Sequence, residues 1–192
     1  MKPMADPIWM RVSSGRYINL ATFSPADVAL TDIVTALSHI KRCNGHHGRI
    51  EPLSVLQHSM LTADLAEHEG VPASLEYACL IHDAHEAYIG DNTTPNKMLM
   101  GIVEPPHIKS AVRFALGGPI GPETYHAVKR YDYAALEVER KAQWKPVPED
   151  DQFWPPSYLG IDGDLALKLH RKYLNMGADH FMDRWARLWL SA

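Results

Sequence analysis

The stretch IHDAHEAYIGDNTTPNK, residues 81–97, places titratable groups where a buried helix should end. His82 and Asp83 are adjacent, Glu86 follows one turn later, and Asp91 and Lys97 lie just beyond. Imidazole and carboxylate at such spacing serve two chemistries: holding a cation, and taking or giving protons. Other parts of the chain offer similar groups on faces that helices should bury. His58 shares an apolar stripe with Val55, Leu61 and Leu65. Asp132 shares one with Val128 and Leu136, and His82 one with Leu75, Cys79 and Glu86, by the three-to-four-residue helical repeat. A lone buried histidine is ordinarily satisfied by a hydrogen bond. A lone buried carboxylate is harder to accommodate, because desolvating it unpaired costs on the order of several kcal/mol. Two imidazoles and two carboxylates on inward faces of three helices would relieve one another around a cation. Helix bundles build metal sites from inward side chains in this way. The donor set suits a divalent transition metal, with coordination left for water and a substrate oxygen.

The elements that must position these groups are helical. Residues 24–40 read as a helix with Ser24 as N-cap and Pro25 at its first position. A loop marked by Asn44-Gly45 and Gly48 follows. Helices are predicted over 54–68, stopping at Gly70, and over 72–88, closed by Gly90. After a turn at Pro95 come a shorter helix in 104–116, a break at GPIGP, and a long helix over 122–143. The Pro- and Trp-rich stretch 144–160 reads as an ordered loop packed on the body, and two helices finish the chain. Strand-like alternation is scarce and there is no internal repeat. The expectation is one all-α domain, a helical bundle over 27–192 preceded by an irregular arm, 1–26, with a short extended piece at GRYINL.

Length and composition agree. With 192 residues and 46% apolar content, the chain suffices for one full core. A formal charge of −4 argues against a broad surface for a nucleic-acid polymer or a membrane, while leaving room for a local basic pocket. Cys43 and Cys79 are the only cysteines, so a reducing cytoplasm is the default compartment. No run approaches the roughly 18 apolar residues of a membrane span.

The order His58, His82-Asp83, Asp132 resembles that of the HD-domain metal phosphohydrolases. DIVTALSHIKRCNGHHG, LSVLQHSMLTADLA, ACLIHDAHEAYIGDNTTPNK and VKRYDYAALEVER resemble successive blocks of its compact branch, covering about residues 27–142. That branch includes bacterial 5'-deoxynucleotidases and a phage dATP triphosphohydrolase. The resemblance implies one divalent metal ion (cobalt, manganese, zinc, nickel or iron) held by His58, His82, Asp83 and Asp132, with Glu86 and Asp91 as catalytic acids. It also implies a homo-oligomer. Arg42 stands at the family's distance before the first metal ligand, and a guanidinium suits a two-pronged grip on phosphate. Lys97 is the matching point charge. Relatives carry a bulky aromatic after this arginine, packed against the sugar; here Cys43 takes that place, so no sugar or base preference carries over. The implied activity is release of phosphate from a (deoxy)nucleoside 5'-monophosphate. The alternatives are expulsion of triphosphate from a nucleoside triphosphate, pyrophosphate removal from an alarmone, and a non-catalytic nucleotide sensor. Two extra carboxylates near a phosphate argue against the sensor.

Overall fold

The computed structural model describes residues 6–118, 121–145, 147, 154 and 160–191. Among these, nine α-helices and one small hairpin make an all-α bundle. Its centre is α2 (Val55–His68), packed against α1 (Leu30–His39), α3 (Ala73–Ile81), α7 (Pro122–Gln143) and α8 (Gly163–Leu174). Helix α8 runs along α7, and α9 (Ala178–Trp189) lies on α3. Ile33, Leu37, Leu56, Leu61, Leu80 and Val138 from four of these helices form the middle of the core. No helix among the described residues is long and apolar enough to cross a membrane.

Local signals set the bounds of α2. The Ser54 hydroxyl accepts from the Gln57 amide (3.2 Å), while Gln57 Oε1 accepts from the Ser54 amide (2.8 Å). This reciprocal cap contributes about 1 kcal/mol. Gly70, at φ +71°, closes the helix.

Two expected helices and one expected turn differ. The helix expected over 24–40 is split: Pro25–Asp27 forms a 3₁₀ turn, Val28 and Ala29 are extended, and α1 starts at Leu30. Asp27 reaches back to the Ser24 amide (2.8 Å) and hydroxyl (2.9 Å), a capping contact that fixes the start of this turn. The helix expected over 72–88 is broken too. Helix α3 ends at Ile81, three-residue turns follow, and α4 spans only Glu86–Ile89. Here His82 Nδ1 takes up the Cys79 carbonyl (2.7 Å), which a continuing helix would offer to the Asp83 amide. Finally, Pro95 lies in the first turn of α5 (Thr94–Met100) rather than in a simple turn. Helix α6 (Pro106–Ala115) follows as expected.

The arm is less irregular than its sequence suggests. Its extended piece, β2 (Tyr17–Asn19), pairs antiparallel with β1 (Trp9–Arg11) in the register Met10↔Ile18. Asp32 of α1 ties the turn down. It accepts from the Ser13 hydroxyl (2.7 Å), the Ser14 amide (2.6 Å) and hydroxyl (3.0 Å), and Arg16 Nη2 (3.1 Å). Most of the Pro- and Trp-rich segment lies outside the described residues; Trp144 and Trp154 approach with ring centroids 6.2 Å apart.

Candidate metal centre

The break after Ile81 turns His82 and Asp83 toward the bundle axis, where α2 presents His58 and α7 presents Asp132. His58 Nε2 lies 3.1 Å from Asp132 Oδ1, and His82 Nε2 lies 3.8 Å from the same oxygen and 3.0 Å from Asp83 Oδ2. Ligand atoms of His58, His82 and Asp132 all lie within 4.8 Å of one another. His82 Nδ1 donates to the Cys79 carbonyl, so in the neutral ring Nε2 carries the lone pair; it is buried and faces Asp83 Oδ2 and Asp132 Oδ1. A buried imidazole lone pair flanked by two carboxylates lacks a positive partner, and a divalent cation supplies one. The donor set therefore fits a metal ion.

Electrostatics tell the same story. Burial opposes a charged His82, but Asp83 and Asp132 outweigh it and push the pKa up to about 10. Burial and Arg42 oppose charge on His58, yet Glu139 and Asp132 hold its pKa above normal. Burial disfavours the charged forms of Asp83 and Asp132, but the histidines keep both carboxyls below the usual range. The two carboxylates thus favour positive charge at this point, which a bound cation would also provide.

The other expected site residues surround the cluster. Glu86 is buried with Oε2 unpartnered, and burial, Asp83 and Asp91 push its pKa up to about 10. Arg42 Nη1 lies 3.4 Å from Asp91 Oδ2. Lys97 pairs with Glu104 rather than standing free, and its ammonium is further favoured by Glu86 and Asp83. Cys43 sits in a left-handed turn, with φ +56° at Cys43 and +53° at Asn44. Non-glycine residues adopt this conformation at a cost of roughly 1–2 kcal/mol each, and such strain gathers at functional sites. Burial pushes the Cys43 thiol up to about 11, so it is a neutral neighbour of Arg42.

Sequence reasoning missed three participants. Glu139, fully buried, has Oε1 3.2 Å from His58 Nδ1 and 3.5 Å from Arg42 Nε. It joins the expected phosphate residue to an expected metal ligand. Its signal was its place two turns after Asp132 on the same face of α7. Lys129, one turn before Asp132, holds Asp132 Oδ2 at 2.6 Å. Glu104 gathers His85 (3.1 Å), Lys109 (3.2 Å) and Lys97. Its partners come from separate elements, which no local pattern reveals.

No family model matches the chain. Among solved structures it is similar to the cyanophage S-2L HD phosphohydrolase (DatZ), described as bound to dA and one catalytic Zn2+ ion. That likeness has a TM-score of 0.45 at 20% identity, covering 86% of this chain and 99% of that one. The sequence is 31% identical to the uncharacterized protein RCAP_rcc00048 of Rhodobacter capsulatus over 84% of this chain and 86% of that protein. It is 30% identical to the uncharacterized protein YfdR of Escherichia coli over 77% of each chain. At these identities and spans, the chain belongs to the family that contains RCAP_rcc00048 and YfdR.

Proposed function

We propose that this chain is a metal-dependent phosphohydrolase of the HD-domain kind, acting on nucleotides. The observation that carries the reading is the buried His82 Nε2, which faces the carboxylates of Asp83 and Asp132 beside His58. His58, His82, Asp83 and Asp132 would hold one divalent ion. When bound, such an ion polarises a phosphoryl oxygen and makes water a competent nucleophile near neutral pH.

The chain's own residues do the rest. Arg42, steadied by Asp91 and Glu139, grips the phosphate, and Lys97, paired with Glu104 and drawn by Glu86 and Asp83, adds a further positive charge. The raised pKa of Glu86 reflects burial and its like-charged neighbours. With those neighbours neutralised, the carboxylate ionises and takes the proton of the attacking water. The water oxygen bonds to phosphorus, the bond from phosphorus to the nucleoside 5' oxygen breaks, and that oxygen is protonated. Asp91, raised by burial, stands to orient the water or supply that last proton. The products are nucleoside and phosphate.

A 5'-monophosphate is the substrate that Arg42 and Lys97 suffice for. Expulsion of triphosphate from a nucleoside triphosphate is a second reading, because further cations lie beside His82 and Asp83. The test is to incubate metal-loaded protein with nucleoside mono-, di- and triphosphates and to resolve phosphate, pyrophosphate and triphosphate. Release of one of these, lost on chelation, is the expected result. Binding of nucleotide with no product would leave a sensor instead.

A further inference from the structure

Behind Arg42 the fold gathers buried polar groups that the proposed chemistry does not use. His170 of α8, and Glu139 and Gln143 of α7, are all fully buried. Glu139 and Gln143 stand one turn apart on the same face of α7, and α8 packs along that helix. Glu139 and His170 each act on the other's ionisation, so the two stand near one another. Glu139 Oε2, His170 Nδ1 and both polar atoms of the Gln143 carboxamide have no hydrogen-bond partner among the described residues. Buried polar groups are costly to leave in that state. His170 Nδ1 and Glu139 Oε2 are both acceptors and cannot bond each other; they need a donor between them. The Gln143 amide hydrogens and one internal water, which donates twice and accepts twice, have that character.

The other ring nitrogen of His170 fixes its tautomer. Nε2 lies 2.7 Å from the Glu51 carbonyl, which only accepts, so Nε2 carries the hydrogen. Burial lowers the pKa of this histidine against the pull of that carbonyl and of Glu139, which leaves the ring neutral and Nδ1 an acceptor. Glu51 belongs to the loop that begins at Arg42. The middle of that loop is anchored to the end of α7: the Arg49 amide donates to the Gln143 carbonyl (2.8 Å), and its guanidinium donates to the carbonyls of Ala142 and Lys141 (2.8 Å each). A Cβ on Gly48 would come within 2.4 Å of the Gln143 oxygen, so the loop lies directly on the helix end. His170 thus bears on Arg42 by two routes. One is the loop backbone, through Nε2; the other is Glu139, whose Oε1 lies 3.5 Å from Arg42 Nε.

We infer that His170 is a positioning residue for Arg42: with Gln143 and one buried water it holds the Glu139 carboxylate, and with the Glu51 carbonyl it holds the loop, so that α8 sets the guanidinium for a phosphate. The inference rests on the reading of Arg42 as the phosphate-binding residue, and His170 lies beyond residues 27–142, which carry the resemblance. Titration calorimetry of metal-loaded protein with inorganic phosphate tests it without turnover. His170→Phe removes both contacts and should weaken phosphate binding about tenfold, the usual worth of one hydrogen bond. His170→Gln keeps a donor for Glu51 and His170→Asn keeps an acceptor in place of Nδ1. Each should recover part of the loss, and the two carry the test if phenylalanine unfolds the chain. On an Arg42→Ala background, itself weaker than wild type, His170→Gln should cost nothing further. An equal cost on both backgrounds would make His170 an ordinary core residue, and no cost on either would leave Arg42 independent of it; both results overturn the inference. If Arg42→Ala binds phosphate as wild type does, the inference falls with its premise. If the cycle follows the prediction while no nucleotide is hydrolysed, the activity falls and the positioning role stands.

Discussion

At the scale of single residues, groups proposed to hold an ion differ from a group proposed to move a proton. Glu86 is proposed for the second kind: its buried Oε2 makes no hydrogen bond, and it sits beside His85 and Glu104 rather than with His58, His82 and Asp132. Glu86→Gln keeps the shape but cannot take a proton. It should retain metal and nucleotide binding while turnover falls by about 10²–10⁴-fold. Loss of metal together with activity, seen by elemental analysis, would make Glu86 a ligand instead. Glu139 makes a different demand. Facing both His58 and Arg42, it should orient the imidazole for the ion, as carboxylates beside metal-bound histidines do. Glu139→Gln is therefore expected to lower metal affinity by about 10–100-fold, measured by titration of the stripped protein. An unchanged affinity would confine Glu139 to holding Arg42.

At the scale of elements, the hairpin of the arm depends on one carboxylate. Asp32 is buried and, despite that burial, contacts from Ser13, Ser14 and Arg16 keep its pKa below normal. A lowered native pKa stabilises the fold above the unfolded value, near 3.9, and that stability is lost as pH falls through the native value. Asp32→Asn removes this contribution at every pH. At neutral pH it should cost about 2 kcal/mol, or roughly 4–8 °C in melting temperature, and the gap from wild type should close below about pH 4. A gap independent of pH would mean that the charge does not hold the arm. The same elements mark what the sequence made legible. Repeats of apolar residues and the Ser54 and Gly70 signals located α2, α6, α7, α8 and α9 well. They missed the breaks after Asp27 and Ile81; at the second, a side chain claims a backbone carbonyl and stops a helix that propensity would continue. The aligned faces pointed to His58, His82 and Asp132. Glu104 and the cations beside His82 and Asp83 were not legible, because these groups meet only through the packing of separate helices.

At the scale of the whole molecule, the centre joins α2, α7 and the turn after α3, which are the packed middle of the bundle. An ion bound there links these elements and should stabilise all of them together. At a free concentration about 100-fold above the dissociation constant, the linkage is worth about 2.7 kcal/mol, so chelation should lower the melting temperature by roughly 5–10 °C. The most direct test of the central claim is nucleotide hydrolysis by chelator-stripped protein as a divalent ion is added back, with His82→Ala alongside. The account predicts a silent stripped protein, recovery that saturates at a single ion per chain, and no recovery in the variant. Full turnover by the stripped protein, or equal recovery by His82→Ala, would contradict it.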